Sequence, residues 1–340
     1  MPETILEVKD LKTYFPGRTE VVKAVDGVSF EVLKGETFGL VGESGCGKSQ
    51  TCRSILGLLK KPGRVVDGQI ILEGRDITHL SERELRKLRG KSMSVIFQEP
   101  MTSLSPVLKI KKQLMEVFDD TPMTKREKEQ KALELLRMVG IPSPEVRMNE
   151  YTFQFSGGMR QRAMIAMALG ARPHLLIADE PTTALDVTIQ DQIMKLINQL
   201  KAEMDMSVIL VTHDLGVIAQ MCDRVAVMYS GLIMEMCDVV TLFAQPRHPY
   251  TYALMSSLPD PGNKKARLNA IKGSPPNLAH LPEGCPFHPR CSECAEICKR
   301  ERPPMTEIAP GHTVRCHCLD RTAGYRGIID APAARGENMI

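Results

Sequence analysis

No apolar run in this chain of 340 residues approaches the ~20 residues needed to cross a bilayer; the best, around Ser207 to Thr212, is strand-sized. The first residues, Met1-Pro-Glu-Thr, lack the basic and apolar regions of a signal peptide. A net charge of +3 is too small to imply a nucleic-acid partner by itself. These absences predict a cytosolic chain that acts at a membrane only through partners. What is present is globular: 43% hydrophobic residues, in a chain longer than one ordinary domain needs, so a core with an appendage is expected. The 10 cysteines divide unevenly. Cys46, Cys52, Cys222 and Cys237 are scattered, whereas Cys285, Cys291, Cys294, Cys298, Cys316 and Cys318 crowd together near the end. In a reducing compartment such crowding points to metal binding rather than disulfides.

The stretch Gly42-Glu43-Ser44-Gly45-Cys46-Gly47-Lys48-Ser49 fits G-x-x-x-x-G-K-[ST], a phosphate-binding loop. Glycines let backbone N–H groups approach phosphate oxygens with no side chain in the way. Lys48 is placed to meet the β- and γ-phosphates, and the Ser49 hydroxyl to hold Mg²⁺. The context agrees, with Glu36 to Val41 reading as a buried strand and Ser49 to Leu59 as a helix stopped by Pro62-Gly63.

Ahead of this loop, Ile5 to Tyr14 and Val21 to Val32 read as strands of an antiparallel layer. Phe15 is either an adenine-stacking ring or ordinary packing. Gly68 to Ile77 reads as a hairpin, and Ser81 to Leu88 as a charged helix opened by a Ser-x-x-Glu capping box. Ser92 to Phe97 is an apolar strand delivering Gln98 to its end. From Pro106 to Met148 the composition turns to Lys, Glu, Leu and Met, and Lys125 to Val139 is an amphipathic helix stopped by Gly140. Ser156-Gly157-Gly158 then precedes a helix-like stretch from Ala163 to Ala168. A hydroxyl and bare amides at a helix start make a second anion site.

Leu175 to Ala178 followed by Asp179-Glu180 is a buried strand ending in two carboxylates. Asp179 suits the magnesium shell and Glu180 the attacking water. Ile189, Ile193, Leu196, Ile197 and Leu200 give a helical stripe. Val208 to Val211 is another strand, ending near His213. Lys48, Gln98, Glu180 and His213 thus sit at strand ends, where a parallel sheet places its ligand.

Taken in order, the phosphate loop, Gln98, Ser156-Gly157-Gly158, Asp179-Glu180, Asp186 and His213 resemble the ATP-binding cassette ATPases over about residues 5–240. The resemblance implies an α/β fold, a P-loop NTPase (RecA-like) core with an antiparallel β subdomain, an inserted α-helical subdomain and a small Cys-rich C-terminal extension. It assigns Phe15, Gly42, Ser44, Gly45, Cys46, Gly47, Lys48, Ser49 and Gln50 to one ATP. Ser156, Gly157 and Gly158 go to the nucleotide held by a second ATPase subunit, and Asp186 is a further nucleotide-binding residue. Ser49, Gln98 and Asp179 take the Mg²⁺, and Glu180, Gln98 and His213 are catalytic. The usual signature of that family is Leu-Ser-Gly-Gly-Gln; here it is Phe155-Ser-Gly-Gly-Met159, which replaces the flanking residues and keeps Ser156 and Gly158.

Phe155-Ser-Gly-Gly-Met-Arg-Gln-Arg, Asp179-Glu-Pro-Thr-Thr-Ala-Leu-Asp, His248-Pro-Tyr-Thr and Gly284-Cys-Pro-Phe-His-Pro-Arg-Cys291 resemble more narrowly the ATPase subunits of dipeptide and oligopeptide permeases. This implies a peripheral motor on the cytoplasmic face of the inner membrane. Its partners are two permease subunits, a second homologous ATPase and an extracytoplasmic binding protein. Nickel and glutathione importers share these motifs. The expected layout is a cassette over 1–245 with its helical subdomain at about 100–170, an extension over 246–320, and a flexible tail over 321–340. A soluble cassette ATPase acting on nucleic acid or ribosomes is the rival, but such proteins usually carry two cassettes or a long coiled coil. A redox sensor with incidental ATPase activity is a third reading.

The tail spacing, C-x5-C-x2-C-x3-C-x17-C-x-C, suits zinc or an iron–sulfur cluster. The family pattern matches Cys285, Cys291, Cys298 and Cys316, and by resemblance implies a [4Fe–4S] cluster, with Zn²⁺ as the alternative.

Overall fold

The computed structural model describes residues 3–98, 103–183, 185–257 and 271–328, so part of the expected flexible tail lies outside the described residues. The chain forms two compact units. One comprises the described residues within Met1–Ile5, Val32–Thr37 and His79–Val211; the other those within Leu6–Glu31, Phe38–Thr78 and Thr212–Ile340.

In the first unit, strands β6 (Met93–Ile96), β7 (Leu175–Asp179) and β8 (Ser207–Thr212) pair in parallel, with Met93 opposite Leu175 and Leu175 opposite Ser207. Every residue of β7 and β8 is buried, as expected of continuous apolar strands covered on both faces. Helices α2 (Glu82–Leu88), α3 (Ile110–Glu116), α4 (Lys125–Met138), α5 (Pro144–Arg147), α6 (Gly157–Leu169) and α7 (Val187–Met204) complete it. The capping box at Ser81 and Glu84 is formed, and a second one joins Thr124 to Glu127 at the head of α4. Helix α7 buries Ile193, Met194, Leu196, Ile197 and Leu200, close to the expected stripe, while Ile189 is only half-buried.

In the second unit, β1 (Thr4–Pro16), β2 (Val21–Leu33), β4 (Arg64–Leu72) and β5 (Arg75–Asp76) form a sheet ordered β2-β1-β4-β5. Strands β3 (Thr37–Val41), β9 (Arg224–Tyr229), β10 (Leu232–Asp238), β11 (Thr306–Ala309) and β12 (His312–Val314) run in the order β11-β12-β10-β9-β3. Helix α1 (Lys48–Leu56) stops at Gly57, earlier than Pro62-Gly63 would stop it. The left-handed Gly57, φ 63°, sends its N–H to Ser54, and Leu58 N–H reaches Arg53 O at 2.8 Å. That pair of bonds satisfies the last carbonyls and ends the helix.

Helices α8 (Leu215–Met221), α9 (Val239–Ala244), α10 (Pro249–Ser256) and α11 (Leu319–Thr322) also lie in this unit. The cysteine-rich segment is woven into the sheet: β12 pairs antiparallel with β10, Val314 opposite Glu235. Phe287 packs on Tyr229 and Tyr250 with ring centroids 5.3 and 5.2 Å away. All three rings are fully buried, and burying each contributes about 2–3 kcal/mol relative to exposure.

Candidate nucleotide site

In the second unit, β3 delivers the chain into Gly42–Ser49 and α1 receives it. Gly42 and Gly47 have φ of 154° and 110°. A Cβ at Gly42 would strike Met228 O, and one at Gly47 would strike Ala24 O. Glycine is required there by both backbone shape and close approach. Gly47 caps α1 without a side chain, so the first-turn amides are left bare to a ligand.

Lys48 is 5% exposed, and its Nζ donates to Gly42 O at 2.7 Å and Glu43 O at 3.1 Å. The ammonium is therefore folded over the loop it serves. Burial pushes the Cys46 thiol up, opposed by neighbouring Lys48, so this cysteine is a packed neutral group. Ser44 and Gly45 are exposed at the crown of the loop. The residues fit a magnesium triphosphate: a glycine cradle, a bare helix start, a buried ammonium, and a buried Gln50 Oε1 with no hydrogen-bond partner. Gly47→Ala is expected to destabilise the chain by about 1–3 kcal/mol through the left-handed turn and to weaken nucleotide binding. Urea midpoints and a fluorescent-ATP titration check this; an unchanged midpoint would contradict the turn.

Phe15 is half-buried at the end of β1, its ring so close to Gly63 that a Cβ there would clash with Cε1 and Cζ. His213 is exposed directly after β8, and Asp214 beside it caps α8 by accepting from Gly216 N at 2.8 Å.

The first unit holds the acidic residues. Asp179 ends β7 and is 5% exposed. Glu180 follows with φ 48°, a left-handed conformation that costs a non-glycine residue about 1–3 kcal/mol. Its Oε2 accepts from Gln98 Nε2 at 2.7 Å and from Thr183 Oγ1 at 2.9 Å. Of the four strand-end residues, Gln98 and Glu180 meet within this unit; Lys48 and His213 belong to the other. Thr183 was not singled out from sequence. The signal was the three-residue interval from Glu180, closed by a turn with Thr183 N donating to Glu180 O at 3.2 Å.

Helix α6 begins at Gly157, several residues before Ala163, so the two glycines form its first turn rather than a loop ahead of it. Ser156 is exposed and caps the helix, its Oγ accepting from Met159 N at 3.3 Å. Gly158 keeps α7 close: a Cβ would lie 3.1 Å from Ile189 Cγ2. Asp186 caps α7, accepting from Ile189 N at 2.9 Å.

The tail cysteines lie in the second unit. Cys285, Cys298 and Cys318 are buried, and Cys291, Cys294 and Cys316 are half-buried. Burial, reinforced by the neighbouring sulfurs, pushes Cys285 up to about 11 and Cys291 and Cys316 up to about 12. Cys298 Sγ is 3.9 Å from Cys318 Sγ. Among the described residues, the group of three ligand atoms all within 4.8 Å of one another is Glu235, Cys237 and His312, not a cysteine trio. The buried Glu235 already accepts from Arg247 N at 2.7 Å and His248 N at 2.9 Å, with His312 Nε2 at 2.8 Å. A carboxylate so satisfied acts as a structural hub joining β10, α10 and β12.

A family model described as ABC transporter matches residues 25–183, and one described as oligopeptide/dipeptide transporter, C-terminal region, matches residues 234–298. The oligopeptide transport ATP-binding protein AppD of Bacillus subtilis (strain 168) is 51% identical over 315 residues, covering 92% of this chain and 96% of that one. The dipeptide transport ATP-binding protein DppD of the same organism is 48% identical, covering 95% and 97%. For the oligopeptide transport ATP-binding protein OppD of Salmonella typhimurium the identity is 49%, with 92% and 93% covered. Among solved structures, the dimeric ATP-binding cassette MJ0796 in a post-hydrolysis state bound to ADP and Pi aligns with a TM-score of 0.63 at 27% identity. That alignment covers 69% of this chain and 99% of the other. The fold and the phosphate loop define an ATPase of the ATP-binding cassette type. Within that class, the chain belongs to the ATP-binding subunits of the oligopeptide and dipeptide ABC transporters.

Proposed function

We propose that this chain is the ATP-hydrolysing motor of an importer of dipeptides or oligopeptides, working through two membrane permease subunits, a second homologous ATPase and an extracytoplasmic binding protein. The reading rests on the Glu180 carboxylate held by Gln98 and Thr183, beside Asp179. The names of the related proteins support peptides as cargo, ahead of nickel or glutathione. Among the described residues no helix is long and apolar enough to cross a membrane, in keeping with a peripheral place on the cytoplasmic face.

In this reading Gly42–Ser49 and Gln50 grip one triphosphate, with Phe15 against the adenine. Ser49, Gln98 and Asp179 would hold a Mg²⁺, which would neutralise charge on the bound triphosphate. Glu180 orients the attacking water and accepts its proton, Gln98 fixes that carboxylate, and His213 contacts the γ-phosphate. Ser156, Gly157 and Gly158 face the nucleotide of the partner ATPase, in keeping with the dimeric state named for the MJ0796 cassette, and Asp186 is a further nucleotide-binding residue. The cassette is assigned to 1–245, with a helical subdomain at about 100–170, and the cysteine-bearing extension to 246–320.

The test is reconstitution of the full chain with its permease, partner ATPase and binding-protein subunits. ATP turnover should rise with dipeptide- or oligopeptide-loaded binding protein. Stimulation by nickel or glutathione alone would reassign the cargo, and turnover with no response to any of them would remove the transport reading.

The tail thiols fit a metal group because Cys285 and Cys298 are buried and Cys291 and Cys316 half-buried, and such thiols need a cation to become thiolates. Four thiolates suit either zinc or a cubane, and the resemblance to dipeptide permease subunits favours the cubane. Cys285, Cys291, Cys298 and Cys316 are assigned to a [4Fe–4S] cluster that fixes the extension. Anaerobically purified protein should be brown, with iron and acid-labile sulfide. Serine at any of the four should lose most of the iron, while Cys294→Ser and Cys318→Ser keep it. Colourless protein with one zinc per chain would sink the cluster. Iron that survives loss of Cys298 but not of Cys294 would leave the cluster standing and reassign that ligand.

A further inference from the structure

Glu43 occupies a position where the phosphate-loop pattern accepts any residue, and a carboxylate there opposes the binding of a polyanion. Its side chain is engaged by the cysteine-rich tail. Arg290 Nη1 donates to Glu43 Oε2 at 2.6 Å and Nη2 to Oε1 at 3.0 Å, a two-pronged ion pair. The Arg290 side chain is 5% exposed. Its remaining contacts fix the fork in place: Nε donates to Lys272 O at 3.0 Å, Nη1 also to Tyr229 Oη at 3.3 Å, and the guanidinium lies 5.8 Å from the Tyr229 ring centroid. The Arg290 end of the pair is shielded from solvent while the Glu43 side chain is 25% exposed, so its attraction is only partly screened.

The Glu43 backbone passes that grip onward. Its N–H donates to Tyr250 Oη at 2.9 Å, and its carbonyl accepts from Lys48 Nζ at 3.1 Å and Cys46 N at 3.3 Å. Arg290 ends the turn His288–Arg290, directly after Phe287, whose ring packs on Tyr229 and Tyr250. The fold of the tail therefore determines where Glu43 stands, and Glu43 touches the phosphate-binding lysine.

We propose that Arg290 is a positioning residue for nucleotide binding, which pins the phosphate loop through Glu43 and neutralises that carboxylate. This makes the extension part of the ATP site's support. It rests on Gly42–Ser49 being that site.

The test is a titration of the purified full chain with Mg²⁺ and a fluorescent ATP analogue, beside thermal unfolding. Arg290→Gln should weaken binding about tenfold, because it frees a negative charge in the loop and removes both parallel bonds. Arg290→Lys keeps the charge without the fork and should fall between. The double variant Arg290→Gln/Glu43→Gln should recover most of the loss, with Glu43→Gln measured alongside to close the cycle. A merely structural arginine would show no such recovery. Wild-type affinity in Arg290→Gln overturns the proposal, as does a double variant no better than Arg290→Gln. If Arg290→Gln does not fold, Arg290→Lys decides, and wild-type binding there overturns it. Failure of the unaltered chain to bind nucleotide would instead remove the ATP-site reading.

Discussion

Glu180→Gln is expected to bind ATP normally and to hydrolyse it at least about 100-fold more slowly in the assembled transporter. The substitution keeps the side chain's shape and leaves an oxygen to accept from Gln98 Nε2 and Thr183 Oγ1, now 2.7 and 2.9 Å from Oε2. What disappears is the negative charge that polarises water and takes up its proton. Since Glu180 is assigned to the attacking water and not to holding the phosphates, nucleotide affinity should move little. Near-normal turnover would remove Glu180 from the chemistry. Loss of binding together with turnover would show that the left-handed turn at Glu180, and not its charge, had been disturbed. Thr183→Val, deleting one of the two donors to Oε2, gives a milder companion measurement.

Ser156→Arg should abolish turnover in the assembled machine while ATP binding to the isolated subunit stays within about twofold of normal. Ser156 is exposed, and its role within this chain is to cap α6 through Met159 N. Losing a cap costs about 1 kcal/mol, which a folded chain absorbs. An arginine at the same place adds bulk and a badly placed charge where a partner's triphosphate is expected to dock. Loss of binding in the isolated subunit would contradict service to a second nucleotide. A transporter that still turned over would show that Ser156 lies outside the closing surface.

Much of this was legible in the chain because the chemistry is local. Phosphate binding requires two glycines whose neighbours forbid a Cβ, followed by a lysine and a helix start, and these are contiguous in Gly42–Ser49. The Asp179-Glu180 pair follows an unbroken apolar strand, and the capping boxes at Ser81 and Thr124 are four-residue patterns. Each is decided within one turn or one strand. The end of α1 is less legible for a related reason: Gly57 and Pro62-Gly63 are both adequate stop signals, and the nearer one closes the last turn first.

Contacts spanning most of the chain carry no such signature. Arg290 lies 247 residues from Glu43, His312 lies 77 from Glu235, and Gln98 lies 82 from Glu180. Only the last pair was expected, because both residues fall at the ends of core strands. An arginine between proline and cysteine, and a glutamate at an unconstrained motif position, look like surface charges until the chain has folded. Local residue preferences determined the phosphate loop, the strands and the acidic pair. Tertiary packing alone decided that Phe287 would lodge against Tyr229 and Tyr250, that β12 would extend the sheet beside β10, and that a buried guanidinium would thereby meet the one carboxylate in the phosphate loop. A buried charge is stable only where a partner of opposite sign is already fixed, and that partner is supplied by shape, not by sequence spacing.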